Sequence, residues 1–149
     1  TQNLGYQLIL HLNNTEEVIQ EYQQYVKSSN LRSNSASLMG VLDNTSRELN
    51  DYLVSKYNFK EKDISKGVQE EATLAKDSLT NELFEAKING ILDNIYAHKM
   101  AYEISLFTTE EAQLLKTTND DTLTSLLNTS YESLSNLYDK FNDFSETNN

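Results

Sequence analysis

Two imidazoles, His11 and His98, and a surplus of carboxylates are the side chains from which this 149-residue chain could build acid–base or metal chemistry. His98 stands five residues after Asp93 and five before Glu103. Five residues of helix turn through about 500°, which leaves roughly 140° between the side chains. At that spacing His98 could serve only as a lone metal ligand with Asp93 or Glu103, and a surface or edge histidine is the reading the spacing favours. His11, preceded by Ile9-Leu10, reads the same way. A nucleophile needs an adjacent base and a third group to orient it. With no cysteine and no Gly-x-Ser-x-Gly elbow, none is assembled. The carboxylate pairs Glu16/Glu17, Glu70/Glu71, Glu110/Glu111 and Asp120/Asp121 are adjacent in sequence. On a helix such neighbours point about 100° apart, too far for a shared-proton dyad. They read as capping and solvated groups, favoured near helix starts by the macrodipole. Asn119-Asp120-Asp121 lacks the glycine and ligand alternation of a calcium loop. The sequence therefore assigns no catalytic residue, no cofactor-binding residue and no metal ligand.

The elements that would position these groups are helical. The chain has no proline and four glycines, and its apolar residues recur at intervals of three and four. Leu4, Leu8, Leu12, Val18, Ile19, Tyr22 and Val26 mark helix 1, either unbroken from about residue 3 or restarting near residue 15 with Asn14 as cap. Residues 28–36 have loop chemistry. Leu38, Leu42, Thr45, Leu49, Tyr52 and Leu53 mark helix 2, and 57–63 reads as a connection, with Asp63 or Ser65 capping the next helix. The longest segment carries one stripe from Val68 to Ile104. A second stripe, Phe84, Ile88, Ile91, Ile95, Tyr102 and Leu106, suggests neighbours on two sides. The segment reads either as one helix or as broken, with Thr80-Asn81 and Gly90 as the candidate break points. Thr108 and Glu111 have capping-box spacing, so the helix either restarts there or continues to about Lys116. Asn119 or Asp120 caps helix 4, whose stripe is Leu123, Leu127, Ser130, Leu134, Leu137, Phe141 and Phe144. Residues 145–149 should fray. These segments predict one all-α domain over 1–149, an antiparallel up-down four-helix bundle with room for a short extra helix between helices 2 and 3.

Leu92-Asp93-Asn94-Ile95-Tyr96, the polar turn from Thr117 to Asp121, Leu123 and Leu134 follow a recognisable order. On these residues 93–138 resemble a bacterial family of exported, ferritin-like four-helix proteins of unknown function, outer-membrane or periplasmic. That family's third helix opens Phe-Asp-x-x-Tyr and carries an Asp-His pair, and its last helix holds Leu-Pro-x-Leu-x-x-His. Here the pair falls on Glu103-Ile104, the proline near Glu132-Ser133 and the last histidine on Leu137. Asp43-Asn44-Thr45 is similar to the family's Asp-His-Thr. Two-metal centres of ferritin-like bundles use Glu-x-x-His on two helices, and that motif occurs nowhere in this chain. The resemblance implies the shape without the histidines.

Twelve basic against twenty-three acidic residues give a net charge of −11, which argues against a nucleic-acid partner. No stretch of about 18 apolar residues is present to span a membrane. The opening at Thr1, without Met, leads us to expect a mature product whose export signal or lipid-bearing cysteine has been removed. Nine tyrosines, among them Tyr22/Tyr25, Tyr96/Tyr102 and Tyr131/Tyr138, read as packing at the core boundary. Ala86 and Gly90 suggest a tight helix crossing. Asn13, Asn44 and Asn128 open Asn-x-Ser/Thr triplets at the frequency chance gives. The expected function is a non-enzymatic structural or binding module of the bacterial envelope, with an envelope protein or glycan as partner and no cofactor. The alternatives are a ferritin-like metal-binding or redox protein and a surface adhesin or host-interaction module.

Overall fold

Local side-chain capping marks where three of the helices begin. Ser28 Oγ accepts from Leu31 N, Ser65 Oγ from Val68 N, and Asp120 Oδ1 from Thr122 N and Leu123 N. A computed structural model describes residues 1–147, and every long element in it is helical: α1 (Gln2–Tyr22), α2 (Ser29–Tyr57), α3 (Lys66–Ile88), α4 (Leu92–Leu115) and α5 (Asp121–Thr147). Single 3-10 turns lie at Gln23–Tyr25 and Glu61–Asp63. Asn58, in the left-handed region at φ 54°, ends α2, and Gly90, at φ 74°, turns the chain from α3 into α4.

Five long helices replace the expected four. The stripe read as one segment from Val68 to Ile104 is two helices whose apolar positions stay in phase across the Gly90 turn. The helix between the second and third bundle helices is α3, and at 23 residues it is not short. Residues 28–36, read as loop, form the start of α2, where Leu31 and Ser35 are fully buried. Helix 1 does not restart near Asn14. Thr108 caps nothing: its hydroxyl bonds back to Ser105 O inside a continuous α4. Ser145, expected to fray, is helical and buried; the rest of that tail beyond Thr147 lies outside the described residues.

The helices α1, α2, α5 and α4 pack in a ring, each against the next, and α3 lies outside against α1 and α4. Contacts at the helix ends fix the directions. Thr1 Oγ1 donates to Thr117 O, so α1 starts where α4 ends. Asp93 accepts from Lys27 N and Ser28 N, so α2 and α4 start at the same end. Lys56 meets Asp120 at 4.0 Å, so α5 starts where α2 stops. Ring neighbours are therefore antiparallel, but α2 and α4 run the same way, and α3 is the crossover that carries the chain back along the bundle. Its alignment with α1 is parallel, through Asn14 to Ala72 O, Lys76 to Glu17 and Tyr22 to Thr80 O.

Burial is uneven. In α4 nine residues are buried, whereas α3 buries only Leu79, Leu83 and Ala86. Two leucines and an alanine hold α3 with on the order of 5 kcal/mol of apolar burial. The second stripe does not face neighbours on two sides: Phe84, Ile88 and Ile91 are 52%, 67% and 51% exposed. Of the tyrosines, Tyr22 and Tyr96 are buried, while Tyr25, Tyr102 and Tyr131 are exposed. The tight crossing is not at Gly90, where a Cβ would meet nothing within 4 Å. It is at Gly5, where a Cβ would lie 3.1 Å from Leu53 Cδ1.

Two glycine substitutions separate backbone geometry from packing. Gly40 is exposed within α2 with open space around it, so Gly40→Ala should raise stability by about 0.5–1 kcal/mol through helix propensity. Gly90→Ala, in equally open space, should lower it by about 1–2 kcal/mol because of the positive φ. Urea unfolding followed by circular dichroism measures both.

Candidate functional site

The antiparallel packing of α1 on α4 sets His11 over a cradle built by Glu103, Phe107 and Glu110. Residues spaced i, i+4 and i+7 share one face of a helix. His11 Nε2 lies 3.1 Å from Glu103 Oε1, and Nδ1 lies 2.5 Å from Glu110 Oε1. The imidazole rests on the Phe107 ring at 4.1 Å between centroids, tilted by 34°. A carboxylate can only accept, so an imidazole bonded to one on each side needs a proton on both nitrogens. Burial alone would push the His11 pKa down. The hydrogen bonds and charges of Glu103 and Glu110 overcome this and raise it from 6.5 to about 9. The result is an imidazolium held between two carboxylates of another helix.

Next to Glu110 in sequence, on the α5 side of α4, sits Glu111. It is fully buried, and among the described residues neither carboxylate oxygen has a partner at full hydrogen-bond geometry, the Ser130 hydroxyl being the nearby donor. Burial raises its pKa to about 7; the Ser130 hydroxyl eases the shift and the charge of Glu110 adds to it. Further polar pairs bind the helices nearby. Thr45 Oγ1 donates to Ser130 Oγ at 2.9 Å between α2 and α5, and Ser46 Oγ donates to Asn13 Oδ1 at 2.5 Å between α2 and α1. Glu16 on α1 is half-buried, and burial together with the charge of Asp43 raises its pKa to about 7, Arg47 opposing.

Where the first half of α3 stands away from the ring, a cleft of about 270 Å³ opens between α1, α3 and α4. Leu10, Val18, Val68, Ala72, Leu79 and Leu106 give it apolar walls, and His11, Glu103 and Glu110 line it from the side of α1 and α4. Lys76, the lysine among the lining residues, is engaged with Glu17.

The residues singled out in the sequence separate. His98 is exposed, and Asp93 clasps the α1–α2 connection through two backbone N–H groups. Glu103 is turned to His11, not His98. His11, read as a surface or edge histidine, is the centre of the site. Asp120 is a cap, as its position implied, but Glu110/Glu111 and Glu16/Glu17 lie inside helices, well past their starts, and are not capping groups. The signal that could have found the site is Glu103, Phe107 and Glu110 at one-face spacing on α4. Its partner lies 92 and 99 residues away, beyond any local pattern.

These residues do not fit a bridged metal centre of the ferritin-like kind. The three carboxylates come from α4 alone, and those of Glu103 and Glu110 occupy opposite nitrogens of His11. Among the described residues no group of three His, Asp or Glu side chains is arranged to hold a metal ion. Comparison with known protein families, curated proteins and solved structures returns no match.

The pH dependence of stability tests both buried groups. A raised histidine pKa favours the folded state fully below the unfolded value of 6.5, and that contribution is lost as the pH rises through about 9. It amounts to on the order of 3 kcal/mol. His11→Gln should therefore destabilise most at pH 6 and little at pH 10; an equal loss at both would mean that the ring is not an imidazolium. Glu111 likewise favours folding while protonated, fully below 4.5, and that contribution is lost as the pH rises through about 7. Relative to the parent, Glu111→Leu should gain about 1–3 kcal/mol more at pH 8 than at pH 5, read from urea midpoints.

Proposed function

We propose that this chain is a non-enzymatic binding module of the bacterial cell envelope, built on a ferritin-like four-helix core with α3 as its long crossover. The observation that carries the binding part is the cleft beside α3, apolar on three helices and edged by the His11 trio. Around it the polar groups hold the fold. His11, Glu103 and Glu110 satisfy one another, Asp93 clasps a connection and Asp120 caps a helix. The ring of α1, α2, α5 and α4 with one lengthwise crossover supports the ferritin-like reading, since that connectivity separates ferritin-like bundles from plain up-down ones. The envelope location draws on the resemblance of residues 93–138.

A ferritin-like metal protein is the second reading, and what favours it is the connectivity of the ring with its one lengthwise crossover.

The test is the gene with its native upstream sequence, expressed in a bacterial host, with cell fractionation and elemental analysis of the purified protein. We expect recovery from the periplasm or outer membrane with far less than one metal ion per chain. Recovery from the cytoplasm alone overturns the envelope reading, and stoichiometric iron or manganese transfers the conclusion to the metal protein.

A further inference from the structure

We propose that the cleft between α1, α3 and α4 binds an amphipathic organic cation, with its ammonium head against Glu103 and Glu110 and its apolar body along α3. The inference rests on the reading of this cleft as the module's binding site and names the ligand class.

Charge selects the head group. Glu103 and Glu110 each give one oxygen, Oε1, to His11. Two carboxylates around one imidazolium leave one negative charge in excess. Lys76, the lysine lining the cleft, does not cancel it, because its ammonium is engaged with Glu17. The side chains of Glu103 and Glu110 remain 13% and 29% exposed, so they can be reached from the cleft while shielded enough to strengthen an ion pair over one in open water. An anion would meet this excess charge unfavourably. A neutral apolar molecule would fill the walls and leave the carboxylates without a new partner.

Shape selects the body. The cleft's volume of about 270 Å³ equals roughly nine water-sized groups, which suits an amine with six to eight carbons. Leu10, Val18, Val68, Ala72 and Leu106 supply the apolar contact. The wall formed by α3 has no buried residue before Leu79 and is held to α1 there by polar contacts, Asn14 to Ala72 O and Lys76 to Glu17. The net charge of −11 also favours the approach of cations.

The experiment is isothermal titration calorimetry of the full chain with hexylammonium, hexanoate and hexanol. Hexylammonium should bind at least about tenfold more tightly than either analogue, the worth of one shielded ion pair. The Glu103→Gln/Glu110→Gln double variant should lose at least about tenfold in amine affinity. Because that variant removes partners of His11 and could unfold, Ala72→Phe gives an independent check. It narrows the cleft from the α3 side, leaves the trio intact and should abolish amine binding with an unchanged melting curve. The proposal is overturned if hexylammonium fails to bind, if hexanoate or hexanol binds as tightly, or if Ala72→Phe leaves the affinity unchanged. Preference for hexanol would still support a binding cleft and remove only the cation, whereas cytoplasmic recovery or stoichiometric metal overturns the function reading itself.

Discussion

A charged imidazole between helices is tolerable only if both of its N–H groups are met, and much of this molecule answers that requirement. Removing a charge from water costs several kcal/mol unless geometry and hydrogen bonds compensate. Glu103 and Glu110 sit two turns apart on α4 and take one nitrogen each. Phe107, between them, supports the ring from below. Sliding α1 by a turn against α4 would leave the cation and both carboxylates unmatched. The trio therefore fixes the register of two helices that are distant in sequence. Thr45 with Ser130 and Asn13 with Ser46 fix that of α2 against α5 and α1.

That register also determines the open side of the molecule. The ring buries Leu8, Leu38, Tyr96, Phe107 and Phe141 fully while Tyr102 and Tyr131 stay exposed, and α3 is laid along the α1–α4 groove with its buried residues confined to its second half. Leu79, Leu83 and Ala86 dock, while the turns before them stand off and leave the cleft. The same helix presents Phe84 and Ile88 to solvent, with Ile91 next at the turn. A helix with one short docking stripe and one exposed stripe is a covering element, not a core element. Its removal from the ring would expose far less apolar surface than the removal of α4.

Much of the architecture was legible because helix period and capping are local. The α5 stripe, the caps at Ser65 and Asp120 and the candidate break at Gly90 all rest on residues within a few positions of one another. The misreadings share a cause. Residues 28–36 are rich in serine and asparagine and so resemble a loop, yet Leu31 and Ser35 are buried, and Ser35 is bonded to Tyr96 far along the chain. Thr108 and Glu111 have the spacing of a cap, but the tertiary structure keeps the helix whole and buries Glu111 within its last turns. The count of helices failed because the stripes of α3 and α4 stay in phase across Gly90. The site itself was illegible, since its defining contact joins α1 to α4 across much of the chain.

The lengthwise crossover has a kinetic meaning. α1 and α2 can form a hairpin from neighbouring sequence, and α4 and α5 another, but the ring closes only when His11 finds partners 92 and 99 positions later. Closing so long a loop is an entropic hurdle that a bundle made only of successive hairpins does not face. Until it is crossed, two half-bundles present leucine-lined faces to solvent, joined by α3 alone.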